Sequence, residues 1–209
     1  MDLSTARLLT TRFDTLMKIG ILALQGDFEE HYEMLDKMGV GSRFVKYAKE
    51  LEDLSGLILP GGESTTMLKF MEDESLVEPI KEFYRNGGAL YGTCAGAVLL
   101  ARNVTSPAQS SLALLDISIK RNGYGRQLQS HVSYAPCPTL GGTPLEMVFI
   151  RAPVIREVGQ GVDVLASHKR DPVFIRQGRI MATTFHPELS TDDRVHRFFI
   201  NQLVTPAIA

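Results

Sequence analysis

Two segments of this 209-residue chain combine residue types and spacing that could do chemistry: Gly92-Thr93-Cys94-Ala95-Gly96 and His186-Pro187-Glu188. The first is the G-x-nucleophile-x-G pattern of a tight strand-to-helix turn, with cysteine in the nucleophile position. Such a turn needs small flanking residues, and it holds the nucleophile out at the carboxyl end of the strand. A sulfur at a helix N-terminus feels the positive end of the helix dipole, which favours the thiolate that attacks a carbonyl carbon. The Ala95 N–H would then face a developing oxyanion. A cysteine nucleophile also needs a base and a group that orients the base. In an extended segment, residues two apart project to the same face, roughly 7 Å apart along the strand, so His186 and Glu188 could supply both. Pro187 disfavours the helical conformation for His186. A buried structural thiol and a helix-stopping His-Pro turn are the plainer readings of the two segments. Their coexistence in one chain favours catalysis. The order nucleophile, histidine, acid also differs from the serine, acid, histidine order of α/β-hydrolases.

Pro60-Gly61-Gly62-Glu63-Ser64-Thr65-Thr66 is the second informative loop. Paired glycines let a backbone N–H approach a ligand closely, so this loop could complete an oxyanion hole opposite Ala95. A phosphate cradle at the start of a helix is the competing reading, but no P-loop lysine follows. His31 and His196 fall in helical patterns, and His131 and His168 lie in a strand or near turns. None has metal-ligand spacing, and two distant cysteines supply no site either, so no metal is expected. Cys137 sits between two prolines and has no reactive setting.

The elements that must position these residues are a parallel sheet and its helices. From Met17 onward, short apolar runs alternate with helical patterns. Lys18–Leu24, Arg43–Tyr47, Gly56–Leu59 and Ala89–Tyr91 are expected strands, the first buried on both faces. Helices are expected over Phe28–Met38, opened by an Asp27/Glu30 capping box, and over Ser64–Met71, Leu76–Arg85 and Ala97–Arg102. Ile117–Lys120, Gln127–Tyr134 and Leu145–Ile150 read as strands of an antiparallel patch. Val173–Arg176 and Arg179–Phe185 read as a hairpin about Gln177-Gly178. Asp192–Leu203 closes the chain as an amphipathic helix with Val195, Phe198, Phe199 and Leu203 on one face. The expected fold class is therefore α/β, a three-layer sandwich with a mainly parallel central sheet flanked by helices and a small antiparallel patch.

Composition bounds the rest. A net charge of −2 and 44% hydrophobic residues suit one sizeable core and a small-molecule substrate, and leave no basic footprint for nucleic acid. No apolar run approaches the ~20 residues needed to cross a bilayer, so no membrane partner is expected. Two cysteines fit a reducing, cytoplasmic compartment. Residues 1–17 mix hydroxyl, basic and acidic residues without a signal-peptide core; a poorly ordered extension is expected there, with residues 18–209 forming a single domain.

From Met17 to about Leu203 the chain resembles the class I glutamine amidotransferase family, in particular its vitamin B6 branch of glutaminase subunits. The wider family is marked by the cysteine elbow and His186-x-Glu188. The branch is marked by Leu22–Gly26, Leu59–Thr66, Arg121-Asn-Gly-Tyr-Gly-Arg-Gln127 and Phe149-Ile-Arg-Ala-Pro153. The resemblance implies Cys94 as nucleophile, His186 as base and Glu188 as its orienting acid. It implies contacts to L-glutamine from Gly62, Glu63, Ser64, Arg121, Ile150 and Arg151, an oxyanion hole of the Gly62 and Ala95 amides, and no cofactor. It further implies a (β/α)8-barrel pyridoxal 5′-phosphate synthase subunit as partner in a hetero-oligomer. Other members of the family serve other pathways, and a non-catalytic relative would lack a triad residue, whereas all three are present here. Gln25 is read as a contributor to the interface or oxyanion loop. Ala113 departs from the glycine that relatives often carry in this stretch.

Overall fold

The computed structural model describes residues 18–121, 123 and 130–205; the expectation for the first 17 residues and the 127–129 start of one strand lie outside them. Four runs, β1 (Ile19–Leu22), β3 (Gly56–Leu59), β4 (Ala89–Thr93) and β12 (Ile180–Thr183), are buried at every residue. Strands buried on both faces need helices on both sides, and a parallel sheet results. With β2 (Ser42–Val45), β10 (Asp163–His168) and β11 (Asp171–Gln177) they form a seven-stranded sheet in the order β10-β11-β12-β4-β3-β1-β2. Pairing is parallel from β12 to β2, and antiparallel where β11 meets β12 and β10.

Alternation along these strands divides the core in two. Leu22, Leu57, Leu59 and Leu90 face a layer containing Met67, Met71, Ile80 and Val98, which come from α2 (Ser64–Asp73), α3 (Val77–Arg85) and α4 (Ala95–Leu100). Ile19, Ile21, Ile58 and Tyr91 face the other side with Leu35, Phe149, Phe185 and Phe199. That layer is built from α1 (Phe28–Lys37), α5 (Arg194–Phe198) and the two-stranded ribbon β7 (Ser130–Ala135) with β8 (Leu145–Ile150). β5 (Ala101–Thr105), β6 (Leu115–Lys120) and β9 (Val154–Val158) form a third, three-stranded sheet. The three-layer α/β architecture matches the expectation. Among the described residues no helix is long and apolar enough to cross a membrane.

Several elements differ in detail. The helix expected over Ala97–Arg102 begins at Ala95 and stops at Leu100, and Arg102 lies in β5. β5, β9 and β10 turn only one or two residues fully inward, so their sequences lack the alternation that marks a strand. The closing helix starts two residues later than expected and widens after Phe198 into a π-helical turn, Phe199–Val204. Asp27 does not cap α1 through its side chain, because its carboxylate is engaged elsewhere.

Ala113 has φ 54°, in the left-handed region, and is pinned there by Leu112 N–H donating to the Leu99 carbonyl and Leu114 N–H to the Leu100 carbonyl. A Cβ in that region clashes with the backbone, and glycine avoids the penalty. Ala113→Gly is therefore expected to stabilise the fold by about 0.5–1 kcal/mol, measured as a raised denaturant midpoint with unchanged slope.

Candidate active site

The functional segments converge at the carboxyl ends of β1, β3, β4 and β12, the edge at which parallel α/β sheets bind ligands. Cys94 follows β4 and takes φ 47° and ψ −100°, a strained conformation that costs of order 1–3 kcal/mol and persists only when its surroundings enforce it. Cys94 N–H donates to the Thr183 carbonyl at 2.8 Å, and Gly96 N–H to the Pro60 carbonyl at 3.1 Å. A Cβ on Gly96 would lie 2.0 Å from the Leu59 carbonyl oxygen. That contact explains the second glycine of the elbow: the turn presses against β3, and only hydrogen fits. The thiol is 7% exposed and faces the Ile150 carbonyl at 3.9 Å.

His186 and Glu188 do not lie on an extended strand, as their spacing suggested. β12 ends at Thr183, and Pro187–Leu189 forms a short 3₁₀ turn with His186 as its non-helical cap. Proline suits the first position of a helical turn because it has no N–H to leave unpaired. The turn brings the two side chains together directly, with His186 Nδ1 2.8 Å from Glu188 Oε1. His186 N–H donates to the Val148 carbonyl, which ties this turn to β8 and sets the Ile150 carbonyl beside the thiol.

Sequence reasoning missed the group on the open side of His186. Asp27 Oδ2 lies 3.2 Å from His186 Nδ1. Gly61 makes the approach possible: a Cβ there would fall 2.3 Å from His186 Cε1 and 2.8 Å from Asp27 Oδ2. Burial opposes protonation of the ring, but the interactions with Asp27, Cys94 and Glu188 outweigh it and hold the His186 pKa up at about 12. Burial pushes the Glu188 carboxyl upward, against the lowering influence of His186. The imidazolium form, flanked by two carboxylates, is the state this geometry favours. Nε2, on the other edge of the ring, is buried with no partner in hydrogen-bond geometry among the described residues. Asp27, His186 and Glu188 each bring a ligand atom within 4.8 Å of the others, the one such group among the described residues. These atoms bond to one another rather than surround an open centre.

A cavity of about 260 Å³ opens above the thiol, lined by Cys94, Ala95 and His186 together with Gly62, Glu63, Ser64, Arg121, Ile150 and Arg151. Each residue singled out from sequence as a substrate or oxyanion contact thus reaches one space, with Glu188 behind His186. Their roles are more constrained than their positions. The Glu63 carboxylate caps α2, accepting from Thr66 N–H and Oγ1 at 2.8 Å each and from the Thr65 hydroxyl. Arg121 Nη2 donates to its other oxygen at 2.9 Å. Burial alone would raise the Glu63 pKa, but the Thr65 and Thr66 hydrogen bonds hold it down at about 2. The Gln25 side-chain oxygen Oε1 accepts from Glu63 N–H at 2.8 Å, tying the first loop to the third strand's loop. Ser64 Oγ donates to Gln109 Oε1 at 2.9 Å; Gln109 carried no signal in the sequence.

Residues 21–205 match the SNO glutamine amidotransferase family. The chain belongs to that family. Among curated relatives, it is 46% identical over 189 residues to a protein of Kosmotoga olearia named pyridoxal 5′-phosphate synthase subunit PdxT, covering 90% of this chain and 98% of that one. A Solibacter usitatus protein of the same name is 48% identical over 193 residues, covering 90% of this chain and all of its own length. A solved structure described as a glutamine amidotransferase superposes with a TM-score of 0.83 at 43% identity, over 88% of this chain and 97% of that one. PurLQS from Thermotoga maritima, with a TM-score of 0.62 and 15% identity over 90% of this chain and 98% of its own, shares the fold. Family members hydrolyse glutamine, and a thiol, an imidazole and a buried carboxylate at one sheet edge have the chemistry for it.

The stabilisation gained from the raised His186 pKa is complete below the ordinary histidine value, and is lost as pH rises toward 12. The ring resonances of His186 should therefore show no titration between about pH 5 and 9. Asp27→Asn removes one anionic partner and should bring the midpoint down toward that window; an NMR titration of both proteins checks this.

Proposed function

We propose that this chain is the glutaminase subunit of a pyridoxal 5′-phosphate synthase, hydrolysing L-glutamine through Cys94, His186 and Glu188 and passing ammonia to a (β/α)8-barrel synthase subunit. The observation that carries the reading is His186 bonded to the Glu188 carboxylate and sharing one cavity with the Cys94 thiol. Identities of 44–48% to relatives named PdxT support the pathway and the partner. Both cysteines are free thiols, which suits a reducing, cytoplasmic setting.

In this mechanism the Cys94 thiolate attacks the side-chain amide carbon of glutamine, and the carbonyl oxygen becomes an oxyanion facing the Gly62 and Ala95 amides. The His186 imidazolium gives its proton to the departing nitrogen, ammonia leaves, and a γ-glutamyl thioester remains on Cys94. Water, deprotonated by the same ring, hydrolyses the thioester to glutamate and restores the thiolate and the imidazolium. Glu188 keeps the ring oriented and stabilises its charge. Opposite charges on the cavity wall, Glu63 with Arg121 and Arg151 nearby, suit the zwitterionic end of an amino acid. Ser64, Ile150 and the loop tied down by Gln25 complete the substrate contacts.

Glutamate release from glutamine, measured with and without the synthase subunit, tests the proposal. Cys94→Ala should abolish it, by roughly 10³-fold or more, and a mutant as fast as the unaltered chain removes Cys94 as the nucleophile. Glu188→Gln preserves shape while removing the charge that orients His186, so kcat should fall by roughly 10²-fold or more with the fold retained; an unchanged rate takes Glu188 out of the mechanism. Co-purification with a pyridoxal 5′-phosphate synthase, rather than with another ammonia-using enzyme, distinguishes the pathway.

A further inference from the structure

Behind the triad lies a second group of ionisable side chains that the hydrolysis does not use. His31 on α1 and His196 on α5 are fully buried, and neither lines the cavity. His31 Nδ1 lies 2.9 Å from His196 Nε2. Its other nitrogen, Nε2, lies 3.1 Å from Thr93 Oγ1 and 3.6 Å from Glu188 Oε1. The Tyr91 ring packs edge-on against both imidazoles, with centroids 6.1 and 5.8 Å away. Burial, reinforced by His196 and His186, holds the His31 pKa well below the ordinary histidine value, and burial takes that of His196 down to about 4 despite the charge of Asp193. Each ring is therefore neutral at pH 7, with one N–H and one lone pair.

Two proton arrangements satisfy the short contact between the rings, and they run in opposite directions. In the first, His196 carries its proton on Nε2 and donates to His31 Nδ1, so that His31 carries its own on Nε2, facing Thr93 and Glu188. In the second, His31 donates from Nδ1, His196 is protonated on Nδ1, and His31 Nε2 is a bare lone pair. His196 Nδ1 is buried without a hydrogen-bond partner among the described residues. The second arrangement would thus orphan a buried N–H, whereas the first leaves only a lone pair unfilled, the milder penalty. The second would also set a lone pair 3.6 Å from a carboxylate oxygen. Both considerations select the first.

We propose that His196 and His31 form a one-directional hydrogen-bond chain that ends in His31 Nε2–H donating to Thr93 Oγ1, with the positive edge of that N–H turned toward Glu188 Oε1 at 3.6 Å, making His31 a positioning residue for the triad. The proposal rests on the glutaminase reading for its kinetic consequence. Glu188 Oε2 is buried with no hydrogen-bond partner among the described residues, so the orientation of the carboxylate depends on the groups at Oε1. His186 Nδ1 is the donor there, at 2.8 Å, and the His31 Nε2 edge adds an electrostatic contact at 3.6 Å. Thr93, which shares the His31 proton, directly precedes Cys94, so the chain also grips the strand end that presents the nucleophile.

The tautomers are read by ¹⁵N-edited NMR of the imidazoles in the full chain. His31 and His196 should both be Nε2–H tautomers that stay neutral between about pH 6 and 8; a His196 protonated on Nδ1, or a doubly protonated His31, overturns the proposal. Kinetics with the synthase subunit present then compare His31→Leu, which fills the volume without a donor, with His31→Gln, which restores one. His31→Leu should lower kcat about tenfold with the KM for glutamine unchanged, and His31→Gln should recover most of that loss. A Leu variant with unaltered kcat, or a Gln variant no better than Leu, overturns it. Should the Leu variant not fold, the tautomers of the unaltered chain decide. They need no turnover, so a chain that releases no glutamate from glutamine fails the glutaminase reading while the tautomer result is judged on its own.

Discussion

A carboxylate buried in an apolar layer is tolerated only with donors around it, and the fully enclosed Glu188 imposes this requirement on its neighbourhood. His186 meets it from one side and is itself drawn toward the protonated state. The far nitrogen of the ring is left without a hydrogen-bond partner among the described residues, on the side of the cavity that the Cys94 thiol also lines. Removing the carboxylate would leave an imidazole with no reason to face the cavity and a cysteine beside an unoriented base. The short turn at Pro187 places this carboxylate, whose side chain is fully buried, so that each hydrogen bond acts in a medium of low polarity.

Strain is concentrated where this arrangement meets the substrate space. Cys94 and Arg151 have left-handed backbone angles, φ 47° and 44°, at the two sides of the cavity. The fully buried strands beneath Cys94 supply the rigidity that holds such a conformation. Gly96 against Leu59, and Gly61 against His186, show the same pressure from the other direction: the loops are packed so closely that side chains beyond hydrogen are excluded. The site is therefore preorganised by contacts between loops following β1, β3, β4 and β12, with no single loop sufficient alone.

Charge is distributed unevenly over the same space. Asp27 and Glu188 bracket His186 at the floor, while Glu63 is committed to the N-terminus of α2 and to Arg121 at the wall. The carboxylate of Glu63 is thus part of the scaffold of the wall as well as its surface, since the helix dipole and the Thr65 and Thr66 donors hold it ionised. Behind the floor, the uncharged histidines and Tyr91 continue the polar path into the core.

Much of this was legible in residue types alone. Flanking glycines around Cys94 report a turn that only small residues fit, continuous apolar runs report strands buried on both faces, and the motif order from Leu22 to Glu188 points to the family. Local chemistry determines these features, so a linear reading recovers them. What it could not recover are contacts between segments far apart in the chain. Asp27 looked like a helix cap and became a second partner of His186, because α1 starts at the same sheet edge where β12 ends. His31, His196 and Gln109 carry no local pattern, and gain their roles only when α1 and α5 meet behind the end of β4 and the loop after β5 meets the start of α2. The His186–Glu188 pair was legible as a pair, but its geometry was not: spacing of two suits an extended strand, and the turn at Pro187, held by Val148 across the fold, decided otherwise.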